Sequence, residues 1–476
     1  MGQKIILFEL NEVPFRVIDS FCQWQPRSAF ARLLPSCHRY ETFTEDRSDL
    51  SPWKTWPTLH RGVNDEKHLI HDFGQDLQEV DREYPPIWQL LAAGGVSVGV
   101  CGSLHSYPMP GDLSGYAFYL PDTFAAGSEC FPDQLSIFQE FNLEMARESA
   151  RNISTRVPWA SALRFLASAP GLGLKAATAL DIGKQLVAER REPWKRVRRR
   201  TYQTVLAFDV FLRQLERTRP AFSSFFTNHV ASSMHRYWAA AFPGDYDEFG
   251  FDDDWVNRYR HEIEFTMAKF DDFFARLVRF VDRNPDFVIW VATSMGQAAT
   301  VAMPLETQLY VSDLQRFMEE MGLDASRWTR MPAMLPQYNV QIAETERPAF
   351  RAALGELVIE GKPLVWREAQ NGFFSLDFGQ KNLYLQDESP VRFRGQAVPF
   401  HALGLENVKI EDLSDANAYH IPQGSLVVYD PRDRRPKEAR PTVSTLEIAP
   451  TLLANFGVDR PAYMRPPVPI GNLGKS

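Results

Sequence analysis

The sequence predicts an α/β fold: a doubly wound, mostly parallel sheet with helices on both faces. Three observations carry that expectation. Short apolar or β-branched runs recur along the chain without polar alternation, as strands covered on both faces require. Helical patterns lie between these runs, the rhythm of strand–helix–strand units. Hydrophobic residues make up 44% of the chain and charged residues 24%, which supplies a large core and excludes a fibrous or wholly disordered protein.

In order, the strand runs are Lys4–Phe8, Val96–Cys101, Phe222–Phe226, Phe287–Ala292 and Ser425–Tyr429. Pro86–Ala93 is a helix that leads through Gly94-Gly95 into the second run. Asn257–Asp282 is a long amphipathic pattern that stops before Pro285 and the fourth run. Ser444–Phe456 ends at Gly457, a good C-cap residue. Residues 131–216 lack strand signals and read as a helical insertion; residues 301–400 read as an irregular second insertion or small subdomain. The chain, 1–476, thus reads as one large α/β domain with two insertions. The Pro- and Gly-rich tail after Pro461 reads as a surface arm.

Charge and cysteine usage exclude several function classes. With 52 Lys+Arg against 60 Asp+Glu the net charge is -8, so the chain is not built to coat nucleic acid. Cys22, Cys37, Cys101 and Cys130 show no CxxC spacing, which argues against a zinc ribbon or disulfide scaffold and suits a reducing compartment. The apolar run at the N-terminus is too short for a signal peptide, and no stretch is long enough for a transmembrane segment. The expected location is cytoplasmic. Arg190–Arg200 carries seven basic residues. It reads either as a solvated helix start with Pro193 in its first turn, or as a patch for an anionic headgroup or polyphosphate that would give peripheral membrane contact.

In a doubly wound sheet, ligands bind beyond the carboxyl ends of the strands. That rule singles out Glu9, Asn11 and Glu12 after the first run, and Thr227, Asn228 and His229 after the third, with His235 further on. It also singles out Thr293, Ser294 and Met295 after the fourth run, and His420 before the last. Pro52-Trp53-Lys54-Thr55-Trp56-Pro57 reads as a Pro-flanked loop between the first two runs. Asp252-Asp253-Asp254 reads as an N-terminal helix cap.

On these residues the sequence resembles the alkaline phosphatase superfamily, in its type I phosphodiesterase/nucleotide pyrophosphatase branch. The resemblance covers about residues 4–110, 221–300 and 415–460. The family's nucleophile segment is matched by Thr55-Trp56-Pro57, followed by Arg61-Gly62 and His68. Its helix–strand signature is matched by Ile87–Leu91 and Gly95–Val100, and its Asp-x-x-x-His-x-x-Trp segment by Ala231 to His235 and Trp238. Its Ser-Asp-His-Gly is matched by Thr293–Gly296, its late His-x-x-x-Gly by His420 and Gly424, and its closing helix by Glu447–Leu453.

The resemblance implies a phosphoryl- or related ester hydrolase or transferase, with Thr55 as nucleophile and His235 and His420 in catalysis. Asn11, Lys54, His68, Asn228 and Ser294 would bind substrate. The substrate would be a small-molecule, or lipid- or glycan-linked, phosphate or related ester. Family members hold two divalent metals with Asp and His ligands. Here Asn11, Ala231, Ser294 and Met295 stand where ligands are expected, and none supplies a negative charge. The two-metal centre is therefore incomplete or absent. His235 and His420 would hold at most one ion, zinc or manganese, given a third ligand from His229, Asn228, Glu12 or Asp65; otherwise no ion binds. The alternative function is a metal-poor, non-hydrolytic binding or assembly module, or a pocket rebuilt for metal-independent group transfer.

Overall fold

The computed structural model describes residues 2–147, 159–383 and 391–472. The five apolar runs occupy the middle of one eight-stranded sheet. In chain order its strands are β1 (Lys4–Leu10), β2 (His38–Phe43), β3 (Val98–Cys101), β4 (Tyr116–Leu120), β5 (Phe222–Thr227), β6 (Phe287–Ala292), β7 (Gln423–Tyr429) and β8 (Thr442–Ser444). Their spatial order is β8-β2-β7-β6-β1-β5-β3-β4, and only β7 runs against the rest. This is the mostly parallel, doubly wound sheet that the sequence predicts. Strands β2, β4 and β8 escape the sequence pattern. β2 and β8 mix polar with apolar residues and lie towards one edge, and β4 is the other edge strand.

Strand alternation sends Ile6, Phe8 and Leu10 to one face of β1 and Ile5 and Leu7 to the other. On the first face, helices Arg199–Thr218 and Glu262–Arg283 bury an aromatic layer. Phe8 meets Phe225 and Phe270 with ring centroids 5.4 Å apart in each pair, and Phe208 stacks on Phe273 at 4.4 Å. Each such ring stabilises the fold by roughly 1.5–3 kcal/mol through burial. On the second face, helices Pro52–Arg61, Ile87–Ala93 and Ile448–Phe456 pack Trp56, Trp88 and Leu452 against the sheet.

Four helical stretches, Ser136–Arg147, Trp159–Leu172, Ala176–Arg191 and Arg199–Thr218, precede β5. After β6, residues between Leu309 and Leu405 form a separate hydrophobic core with two four-stranded sheets. That unit docks on the main body where the Gln337 amide donates to Asp72 Oδ1 at 2.7 Å and Asn339 donates to the Phe73 carbonyl at 3.0 Å. Among the described residues no helix is long and apolar enough to cross a membrane.

Several local expectations are corrected. Pro52–Pro57 is not a loop; it opens the helix Pro52–Arg61. Pro52 sits in its first turn, where no N–H is needed. Pro57 cannot donate to the Trp53 carbonyl, and His105 Nε2 supplies that hydrogen bond instead at 2.8 Å. The long pattern from Asn257 is two helices, Asp253–Tyr259 and Glu262–Arg283. Trp255 and Tyr259 pack on Tyr237 and Phe251, whereas Ile263, Met267 and Phe270 pack on the main sheet. Asp252 does cap the first of them, accepting from the Trp255 amide at 2.7 Å.

The tail after Pro461 is no free arm, because Met464 and Ile470 are buried in the second core. The basic run is not a solvated helix start either. It spans a helix end, the 3-10 turn Pro193–Arg198 and a new helix. Most of its charge is already spent. Arg198 grips Glu262 through two nitrogens, Arg199 pairs with Glu189, Lys195 with Glu192, and Arg196 lies 3.6 Å from Glu411.

Candidate functional site

The chain turns sharply after β1, and Glu12 takes a left-handed backbone conformation with φ 62°. For a side-chain-bearing residue that conformation costs of the order of 1 kcal/mol and marks a position held by its surroundings. The turn aims the Glu12 carboxylate between helix His229–Ala241, which carries His235, and the two-stranded ladder of Gly296–Ala299 with Ala418–Ile421, which carries His420 opposite Gln297. All of these lie at the carboxyl edge of β1, β5 and β6.

Glu12 Oε2 lies 3.0 Å from His235 Nε2 and 3.3 Å from His420 Nε2. The Gln297 amide also donates to Oε2, and Asn11 donates to Oε1 at 2.7 Å. Both imidazoles are fixed from behind. His235 Nδ1 donates to the Ala418 carbonyl at 2.7 Å, and His420 Nδ1 donates to the Leu50 carbonyl at 2.6 Å. A carbonyl only accepts, so each Nδ1 carries its proton, and in the neutral ring each Nε2 presents a lone pair to Glu12. Three acceptor atoms then face one another, which is repulsive unless protons or a cation lie between them.

The donor set fits a metal ion. Two imidazole nitrogens and one carboxylate oxygen are a donor set that could hold a zinc ion with one position left open. Ligand atoms about 2.0–2.1 Å from a shared tetrahedral zinc stand roughly 3.3 Å apart, close to the two separations above. Nδ1–H bonds to backbone carbonyls are the outer-shell contacts that orient metal-binding histidines. Without an ion, protons perform the same service. Burial would raise the Glu12 carboxyl, but the nearby His420 and His235 override it and hold it far below the usual carboxylate range. Burial would lower His420, yet Glu12 raises it above its ordinary value.

Among the sequence candidates for the third ligand, Glu12 is the one the structure brings to both histidines. Both nitrogens of His229 are taken elsewhere: Nδ1 pairs with the Thr227 hydroxyl and Nε2 with the Thr266 carbonyl at 3.2 Å. The Asp65 oxygens accept from the amides of Arg47 and Ser48 at 3.0 and 2.9 Å. Asn228 Oδ1 accepts from Asn11 at 2.8 Å and so borders the centre through Asn11.

Thr55 sits on helix Pro52–Arg61, fully buried, with its hydroxyl 2.7 Å from Ser294 Oγ and 3.2 Å from the Ser51 carbonyl. Its neighbour Trp56 donates to Asn11 Oδ1 at 2.8 Å, which ties this helix to the turn that carries Glu12. The Lys54 ammonium donates to the Asp49 carbonyl at 2.9 Å; burial lowers its pKa, with Asp49 and Asp65 opposing. His68 lies apart from the centre. Its Nε2 pairs with the Thr58 hydroxyl at 3.0 Å and its Nδ1 accepts from the Ile70 amide at 3.0 Å, so neither nitrogen is left for substrate. Met295 is buried and reaches neither histidine in any hydrogen bond.

Two features of the site, Gln297 and Tyr419, were not foreseen, and Glu9, which the sequence singled out, pairs with His60 instead of joining the centre. Gln297 fastens Glu12 and follows the Ser294-Met295-Gly296 segment directly. Tyr419 is half exposed, with its ring centroid 4.2 Å from that of His420, at the mouth of the centre. Glu9 continues β1 on the face of Ile5 and Leu7, where its Oε1 meets His60 Nε2 at 2.8 Å, both residues fully buried. His60 is on the same helix as Thr55, so this pair clamps the Thr55 helix to β1.

No family model and no curated protein matches the chain. Solved structures similar to it include the murine ectonucleotide pyrophosphatase/phosphodiesterase 5, at 10% identity, with 97% of this chain and 98% of that chain covered and a TM-score of 0.39. A phosphonoacetate hydrolase from Sinorhizobium meliloti 1021, in complex with phosphonoformate, is similar at 12% identity over 94% of this chain and 95% of that chain, with a TM-score of 0.40. The chemistry of the site rests on its own geometry.

Proposed function

We propose that the chain is a phosphoester or related ester hydrolase or transferase. It would work with a single zinc or manganese ion held by Glu12, His235 and His420, and with Thr55 as nucleophile. The observation that supports this reading is the convergence of two Nε2 lone pairs on one carboxylate oxygen, 3.0 and 3.3 Å away. An ion bound there supplies Lewis-acid polarisation of a phosphoryl or similar oxygen. Gln297 and the two backbone carbonyls keep the three ligands oriented. Asn11 and Ser294 offer neutral hydrogen-bonding groups where a second ion would need charge, so one ion is the complement.

In this reading Thr55 Oγ1 forms a bond to phosphorus while the bond to the leaving alcohol breaks. The Thr55 proton passes through Ser294 Oγ to the departing alkoxide. Water or a second alcohol then forms the new bond to phosphorus as the bond to Thr55 Oγ1 breaks, and its hydroxyl proton passes to Thr55; the first outcome is hydrolysis and the second transfer. Lys54 brings positive charge that reaches His420 and would hold the anionic ester, and Asn228 borders the centre through Asn11. A small-molecule, lipid-linked or glycan-linked phosphate suits this chemistry. The four cysteines are all unpaired, which supports a reducing, cytoplasmic setting.

One observation favours a second reading, a binding module without turnover. Thr55 is fully buried, and its hydroxyl is already engaged by Ser51 and Ser294. Chromogenic phosphate mono- and diesters, assayed with and without zinc or manganese and with an acceptor alcohol, separate the two. The enzyme reading expects metal-dependent release of the chromophore that Thr55→Ala abolishes. Metal-loaded protein that releases none would leave the binding module.

A further inference from the structure

The helix Ala176–Arg191 turns an unusual face to solvent. Leu180 is 68% exposed, Leu186 43% and Val187 47%, large apolar side chains grouped on one helix of a protein whose core is otherwise well filled. At 100° per residue, Leu180 and Val187 lie on one stripe with the small Gly183 between them, and Leu186 stands about 100° round from Val187, outside that stripe. Lys184 and Arg191 flank the stripe on one side and Arg190 on the other, all exposed. These three cations make no ion pair among the described residues, in contrast to the paired charges of 195–199.

No acid shares the exposed face. Asp181 turns to Lys269 at 2.6 Å, and Glu189 is buried against Arg199. In a chain with net charge -8, a half-circumference free of exposed carboxylates and holding both apolar and cationic groups is a local inversion of the surface. An apolar stripe with cationic margins is complementary to an anionic bilayer, in which leucine and valine enter the acyl boundary and lysine and arginine meet the headgroup phosphates.

We infer that this face docks the protein on an anionic lipid surface, with Leu180 and Val187 inserted and Lys184, Arg190 and Arg191 on the headgroups. A soluble polyanion would use the cations and leave the apolar stripe wet; a second copy of the chain would use the stripe and leave the cations unpaired. The inference does not depend on the proposed reaction.

Flotation of the full chain with phosphatidylcholine vesicles, with and without phosphatidylglycerol, tests it. Binding is expected only to the phosphatidylglycerol vesicles and is expected to weaken with added salt. Replacing Lys184, Arg190 and Arg191 together by Gln should weaken it on the order of a hundredfold, at about fivefold for each cation. Leu180→Asp with Val187→Asp should abolish it, with thermal melting and zinc uptake unchanged in both variants. Equal binding to both kinds of vesicle, no binding to either, or binding that survives the Asp substitutions would overturn the inference. So would a dimer in analytical ultracentrifugation that the Asp substitutions convert to a monomer.

Discussion

Glu12 Oε2 and His235 Nε2 face each other at 3.0 Å while the other nitrogen of the same ring donates to the Ala418 carbonyl. The tautomer that this carbonyl enforces leaves a lone pair pointing at a carboxylate. His420 repeats the arrangement with the Leu50 carbonyl. Two such contacts on one oxygen bring together, from distant parts of the chain, three residues that could hold a cation.

Gln297 holds that oxygen from a third direction. Gln297→Leu removes an orienting contact without touching a ligand, so zinc affinity should fall by about 10–100-fold with the stoichiometry unchanged. Competition titration against a chromophoric chelator measures it, and an unchanged affinity would remove Gln297 from the centre.

The metal-free protein should carry a pH signature of the same trio. Glu12 is lowered in the folded state, so its contribution is present above the ordinary carboxylate pKa of about 4.3 and is lost as pH falls through the folded value. His420 is raised, so its contribution is full below about 6.5 and is lost as pH rises through its folded value. Glu12→Gln lacks both effects. The stability difference between wild type and this variant, measured by denaturant unfolding in chelator, should therefore be largest between about pH 4.3 and 6.5. A difference that is flat with pH would contradict the assignment.

Thr55→Ala should abolish turnover, while Thr55→Ser should keep a measurable fraction of it. The Ala variant leaves Ser294 Oγ short of its partner in a buried site, a cost of about 1–2 kcal/mol in chemical unfolding. Loss of activity without loss of fold, checked by circular dichroism, is the expected pattern. Full activity in Thr55→Ala would exclude it as nucleophile.

The buried Glu9–His60 pair should behave as a clamp. Glu9 Oε2 and His60 Nδ1 find no hydrogen-bond partner among the described residues, so the pair stands on its one contact inside an apolar layer. His60→Leu strands the carboxylate and should cost about 3–5 kcal/mol, whereas Glu9→Leu with His60→Leu should recover most of that loss. Chemical denaturation of the two variants decides between a clamp and an inert pair.

The sheet was legible because β1, β3, β5, β6 and β7 are buried on both faces and so read as apolar runs. Polar β2 and the short edge strand β8 offer no such signal, whereas the edge strand β4 is itself a buried apolar run that the reading passed over. The histidines of the centre were legible from the resemblance, and Glu12 only as one of four candidates. What selects Glu12 is a left-handed turn at a residue other than glycine, together with carbonyls from Leu50 and Ala418 that lie far away in sequence. Thr55 was placed in a loop because two prolines flank it. The helix survives there because His105, distant in the chain, bonds the carbonyl that Pro57 leaves open. The basic run is only partly surface charge, because the sequence does not show that Glu262 and Glu189 fold against Arg198 and Arg199.

Metal stoichiometry tests the central claim most directly. The metal-free chain and Glu12→Gln should be titrated with zinc by calorimetry. One equivalent should bind the wild type, and the variant should bind at least about a hundredfold more weakly. No uptake by the wild type, two equivalents, or an unaltered affinity in Glu12→Gln would contradict a single centre built by Glu12, His235 and His420.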